Sequence, residues 1–139
     1  IMHMQGTPMT MQENPTYKNV VKEVRDFLLE RAAHAQAGGV RRENIIIDPG
    51  IGFGKTKEHN FSLIANLQRF VDTGYPVLLG ASRKRFMGSI STETKPARLT
   101  GATCATTALG VVAGVRIFRV HDVRENRQAA DVAWQILHR

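Results

Sequence analysis

The sequence predicts an α/β fold in which short parallel strands alternate with helices, and three observations carry that prediction. Apolar residues recur at three- and four-residue intervals in some segments and as short β-branched runs in others, the two periods that separate helix from strand. The alternation repeats four times. No linker-like or low-complexity stretch interrupts the 139 residues, so residues 1–139 read as a single domain. Strands joined by helical crossovers lie parallel and wind right-handed. Two architectures use this pattern, the doubly wound open sheet and the eight-unit (β/α) barrel. Four units fall short of a closed barrel, which typically takes roughly 250 residues. Half a barrel would leave two raw sheet edges that something must cover.

Each element follows from its residues. Ile1-Met2-His3-Met4 reads as the end of a strand, with the expectation that the chain is cut from something longer. Tyr17, Val20, Val21, Val24, Phe27 and Leu28 form one apolar stripe on a helix running to about Gln36, which Gly38-Gly39 ends. Asn44-Ile45-Ile46-Ile47 is β-branched and predicts a buried strand. From about Lys57 a second helix puts Phe61, Ile64, Leu67 and Val71 on one face. Pro76–Leu79 is the third strand, GASRKRFMG its following loop, and Ser89–Lys95 a polar, mobile loop. Pro96 suits the first turn of a helix that continues through small residues to about Val115. Arg116–Val120 is the last strand, and a final helix turns Ala130, Ala133, Trp134 and Leu137 inward.

Composition narrows the class. A hydrophobic share of 42% with 22% charged residues fits a water-soluble globular domain, and no apolar run is long enough to span a bilayer. Cys104 is the single cysteine, so no internal disulfide can form, which permits a reducing compartment. The formal charge of +7 is dispersed except at Arg83-Lys84-Arg85. The sequence has no basic stripe interleaved with aromatics, which argues against nucleic acid, and a small anionic substrate explains that cluster equally well.

One stretch, Ile45–Thr56 (IIIDPGIGFGKT), imitates a nucleotide-binding loop. A phosphate-cradling loop needs a glycine five residues before the Gly of Gly-Lys-Ser/Thr. That position holds Pro49, so the nucleotide reading fails on spacing. What remains is a carboxylate, Asp48, at the end of a strand, where ligands of parallel α/β folds meet the protein. It suits a ligand edge that presents paired N–H donors; taken alone it reads as a helix cap or loop staple. Two further strand ends alter that balance. One delivers Ser82-Arg83-Lys84, and the other carries Arg119 and His121 two residues apart on one side of an extended chain, a plausible clamp for phosphate or pyrophosphate. His3 is a weaker candidate that would help position the first loop. No Cys pair or His spacing supports a protein-only zinc site.

Taken together, MHMQGTPMTMQ, IIIDPGIGFGK, LLGASRKRFMG and IFRVHDV resemble, in this order, the carboxyl-terminal half of the dihydropteroate synthase family, over essentially the whole chain. The resemblance implies a TIM (β/α)8 barrel of which about four βα units are present here, the amino-terminal half being absent. It implies condensation of 6-hydroxymethyl-7,8-dihydropterin pyrophosphate with p-aminobenzoate to give dihydropteroate and pyrophosphate in folate synthesis, with sulfonamides competing for the p-aminobenzoate site. Asp48, Lys84, Met2 and Arg119 would face the pterin; Phe53, Ser82, Arg83 and Lys84 the p-aminobenzoate; Arg119 and His121 the pyrophosphate. Lys84, Arg119 and His121 would be the catalytic set. In the family pyrophosphate departs before the amine attacks, through a pterin-stabilised cation. Mg²⁺ would accompany the pyrophosphate, its ligand lying on an Asn-Val-Thr-Pro-Asp-Ser-Phe-Ser-like loop that this chain lacks. The resemblance further implies a cytoplasmic enzyme, a homodimer when full length, and weak or no activity from this chain alone.

Overall fold

A computed structural model describes residues 1–139. Four extended segments pair in parallel, each with the next in sequence: Met2 with Asp48, Ile47 with Val77, and β1 (Leu78–Leu79) with β2 (Ile117–Phe118). Only β1 and β2 form a regular ladder; the other contacts are single bridges, so the molecule is mostly helical. Six α-helices connect and flank the segments: α1 (Val20–Ala37), α2 (Lys57–Ala65), α3 (Gln68–Val71), α4 (Arg85–Ser91), α5 (Thr100–Val112) and α6 (Val123–Leu137). None is long and apolar enough to cross a membrane.

Register divides the side chains into two sets, because partners in a parallel ladder share a face and successive residues alternate. His3, Ile45, Ile47, Val77 and Leu79 are buried under the helices. Their core includes Val24 and Leu28 of α1, Leu63 of α2 and Phe70 of α3, all shut off from solvent. Met2, Ile46, Asp48, Leu78, Ile117 and Arg119 occupy the opposite, inner face. Met2 and Ile46 there are 38% and 40% exposed.

Local chemistry explains the helix boundaries. Asn19 caps α1 by accepting from the N–H of Lys22 at 3.0 Å, and Thr56 with His59 forms a reciprocal cap on α2. Gly110 lets α5 press on the sheet, since a Cβ there would strike the Phe118 ring and crowd Leu79.

Several expectations are corrected. The segment predicted as loop after the third strand contains α4, which ends where Thr92 turns left-handed at φ 57°. The helix expected from Pro96 begins as a 3-10 turn (Pro96–Arg98), and α5 starts at Thr100. The predicted second helix is two, broken at Asn66–Leu67, and its buried set is Leu63, Ile64, Leu67 and Phe70 rather than the stripe through Phe61 and Val71. Ile46 is exposed because only alternate residues of its segment face the helices. On α6, Ala133 packs inward, but Trp134 and Leu137 are 58% and 46% exposed. Trp134 instead borders an open apolar groove with Phe118 and Val123, and its indole stacks on His138.

Candidate functional site

Because β1 and β2 pair in register, their outgoing chains arrive side by side. Ser82, Arg83, Lys84, Arg119 and His121 line a cleft of about 470 Å³ there, floored by Gly80. The Ser82 hydroxyl accepts the backbone N–H of His121 at 3.1 Å and lies 2.8 Å from His121 Nδ1. These two contacts fix the ring through Nδ1 and leave Nε2 for a partner in the cleft. Arg83 stands at φ 57°, a conformation rare for residues with a side chain. Its N–H donates to Thr103 Oγ1 at 3.1 Å, and its guanidinium grips Asp122 through Nε (3.1 Å) and Nη2 (2.6 Å). That bond holds the Asp122 carboxyl below the usual carboxylate range. Lys84 and Arg119, by contrast, enter none of the chain's ion pairs.

Asp48 faces this cationic group. Burial pushes its carboxyl up, while the Gly50 N–H, accepted at 2.7 Å, and the charge of Arg119 pull it down. Lys84 is held below its ordinary value by burial first and by Arg119 second, with Asp48 opposing. Its ammonium sits 4.2 Å over the Phe53 ring, a cation–π contact. A carboxylate, an ammonium, a guanidinium and an imidazole thus share one rim of the parallel strands, beside an aromatic face. The arrangement can accept from a flat heterocycle with paired N–H groups and donate to an anionic tail.

The loop that carries Phe53 is fixed by side chains from three directions. Asn60 accepts the Gly52 N–H at 2.7 Å, Gln12 donates to the Gly52 carbonyl at 2.9 Å, and the Tyr17 hydroxyl donates to the Gly54 carbonyl at 2.7 Å. Lys55 is 3% exposed, and its Nζ donates to the Phe53 carbonyl at 2.9 Å and to His3 Nδ1 at 3.0 Å. Gly50, at φ +69°, lies so close to the His3 carbonyl that any Cβ would collide with it.

Of the residues singled out in the sequence, Asp48, Phe53, Ser82, Lys84, Arg119 and His121 come together at this rim, and Met2 borders it by pairing with Asp48. Arg83 lines the same cleft, but its guanidinium is occupied by Asp122. Sequence reasoning missed Asp122, Asn60, Tyr17 and above all Lys55. The signal for Lys55 was present and misdirected, since Gly-Lys-Thr drew attention as a failed phosphate motif. No three His, Cys, Asp or Glu side chains gather closely enough to hold a metal ion. Asp48 spends one oxygen on Gly50 and otherwise faces cations, so the residues present do not fit a magnesium site.

Comparison with known proteins identifies the family and the fold. A family model described as pterin binding enzyme matches residues 1–121. The dihydropteroate synthase of Haemophilus influenzae is 44% identical over 135 residues, which is 97% of this chain and 48% of that protein. The structure superposes on that of dihydropteroate synthase from Thermus thermophilus in complex with 6HMPPP, with a TM-score of 0.92 and 42% identity, covering 100% of this chain and 55% of that one. It likewise matches the Yersinia pestis dihydropteroate synthase with a sulfonamide drug complex, with a TM-score of 0.95 and 31% identity over 99% of this chain and 50% of that one. The chain spans about half the length of the curated bacterial relatives it matches.

Proposed function

The chain belongs to the pterin-binding enzyme family as a homologue of dihydropteroate synthase, and we propose that it supplies the carboxyl-terminal half of such a synthase's barrel and the larger part of its substrate cleft. The four parallel segments are four βα units, and four more would cover the inner face and both sheet edges. The reaction is condensation of 6-hydroxymethyl-7,8-dihydropterin pyrophosphate with p-aminobenzoate, releasing pyrophosphate. The observation that carries this reading is the rim itself, on which Asp48 meets Lys84 and Arg119, both outside any ion pair, and the His121 ring.

Each residue has a task that follows from its surroundings. Asp48, turned to the inner face, accepts paired N–H donors of the pterin edge, with Met2 as an apolar wall. Lys84 donates to the other polar side of the ring and, above Phe53, reaches the aminobenzoate pocket as well. Arg119 and His121, through Nε2, donate to the pyrophosphate. As the bond from the pterin methylene carbon to the pyrophosphate oxygen breaks, they stabilise the charge that gathers on the departing oxygens. Asp48 balances the positive charge left on the ring, so no side-chain nucleophile is required. The aminobenzoate nitrogen then bonds to that carbon and loses a proton. Ser82 orients His121. Arg83, fixed by Asp122 through Nε and Nη2, keeps Nη1 for the aminobenzoate carboxylate. Mg²⁺, which the family resemblance pairs with the pyrophosphate, would take its protein ligand from outside these residues.

The exposed inner face, with Met2 and Ile46, argues that these 139 residues turn over substrate weakly when alone. A second reading follows from the same face and from the half-length match: a pterin- and pyrophosphate-binding half-barrel that acts only with a partner chain. A cytoplasmic location and a homodimer for the full-length protein complete the proposal. An assay with both substrates tests it. We expect pyrophosphate release at well under a hundredth of the rate seen when the rest of a synthase is supplied, and loss of that restored activity in Lys84→Ala. Full activity from the chain alone would refute the half-site reading. Unimpaired Lys84→Ala would refute the site.

A further inference from the structure

Lys55 has no part in the chemistry above, yet it is the most deeply buried ammonium group in the chain, and it ties the first extended segment to the glycine loop. The end of the first extended segment supplies His3 Nδ1 and the glycine loop supplies the Phe53 carbonyl. Asp48, on the second segment, lies close enough that its charge favours the protonated lysine and the lysine's charge favours ionised Asp48. Nothing in the burial of apolar surface calls for a lysine here, since methionine would fill the space without the cost of desolvating a charge. Side chains on the surrounding elements close the cluster. Tyr17 and the Phe27 ring of α1 pack on His3, and the His59 ring of α2 meets Tyr17 edge-on. Glu23 is the further acid whose field reaches His3.

We propose that Lys55 is a positioning residue of the pterin site: its Nζ locks the first strand end to the Phe53 loop, beside the Gly50 N–H that Asp48 accepts, and its charge adjusts the negative charge that Asp48 presents to a heterocycle's paired N–H donors. The inference rests on the reading of Asp48 as the acceptor of such a ring. Burial supports it further, lowering Lys55 to about 7, with Asp48 opposing. His3 is lowered to about 4, by burial and then by Lys55, so its ring is neutral and can accept from the ammonium. An ammonium held so low loses its proton in the neutral range, and with it goes one of the positive charges, beside Arg119 and the amino terminus, that favour ionised Asp48.

The test uses the 139-residue chain, Lys55→Met, and two probes, 6-hydroxymethylpterin for the ring and inorganic pyrophosphate for the anion cleft. In the unmodified chain the backbone amide signals of Gly50–Gly54 should titrate together with a midpoint near pH 7. In Lys55→Met that titration should vanish. Ring affinity should rise several-fold from pH 6 to pH 8 in the unmodified chain. In Lys55→Met it should be at least tenfold weaker and flat with pH, with pyrophosphate affinity within twofold. A merely structural lysine would lower stability without moving the pH profile. Loop amides that do not titrate in the unmodified chain, or pterin binding within twofold and equally pH-dependent in the variant, would overturn the proposal. Failure of the unmodified chain to bind either probe would count against the functional reading, while the amide titration, which needs neither ligand nor variant, would still decide the role of Lys55.

Discussion

The two sides of the strand-end rim are built on opposite principles. On the Phe53 side almost every polar group is already satisfied by the protein: Asn60, Gln12, Tyr17 and Lys55 occupy the backbone of the glycine loop. On the Arg119 side, two strong cations, Lys84 and Arg119, face Asp48 without a direct ion pair, while the equally basic Arg83 beside them is clamped by Asp122. One side holds its shape before any ligand arrives. The other keeps its hydrogen-bonding capacity for a ligand. A flat ring needs a rigid edge to register against, whereas a departing anion needs donors free to follow its charge.

Substitutions on the two sides should therefore fail differently. Gly50→Ala strikes the His3 carbonyl from a left-handed backbone and should cost about 3 kcal/mol of folding stability, read as a lower midpoint in urea. A loss under about 0.5 kcal/mol would show that the loop is not held as described. Arg119→Ala should leave that midpoint within about 0.5 kcal/mol, because the side chain is exposed. It should cost about 2 kcal/mol in pyrophosphate binding, the worth of a charge-assisted contact, measured by calorimetry. Should both quantities fall together, the two sides are not separable.

Acidity gives a subtler contrast. Lys55 is near 7 when folded and near its ordinary value of 10.5 when unfolded. Between those values the unfolded chain binds more protons, so folding stability contributed by this group rises with pH from about 7 toward 10.5. The gain should be on the order of 1 kcal/mol or more, and Lys55→Met should abolish it in urea titrations at pH 7 and pH 9. The smallest effect is expected at Asp122→Asn. It should lower the urea midpoint only slightly by loosening a partly exposed pair and weaken p-aminobenzoate binding a few-fold, with pyrophosphate binding unchanged. Equal weakening of both ligands would mean that Arg83 serves the anion instead.

How much of this was legible in the sequence depends on the range over which the information acts. Asp48, Ser82, Lys84, Arg119 and His121 declared themselves because each stands at the end of a short apolar run, and parallel strands bring such ends together. Helix α1 was legible for a similar reason: its stripe and its terminal glycines are local signals. Helix α4 was not, since Arg85–Ser91 has little apolar periodicity and is fixed by burial of Met87 and by the close approach of Gly88 to Glu93 and Leu99. The break between α2 and α3 was equally hidden, as the pattern runs through Leu67 without a glycine or proline. Pairing of Arg83 with Asp122, 39 residues apart, and of Lys55 with His3, 52 apart, depends on tertiary packing that no spacing rule encodes.

The central claim is that Asp48 and the Arg119–His121 pair bind opposite ends of one ligand, and calorimetric titration of Asp48→Asn and Arg119→Ala with 6-hydroxymethylpterin and with inorganic pyrophosphate measures it directly. The account predicts a crossed result: Asp48→Asn loses at least tenfold in pterin affinity and keeps pyrophosphate binding, while Arg119→Ala does the reverse. Uniform weakening of both probes in both variants, or no change in either, would contradict it.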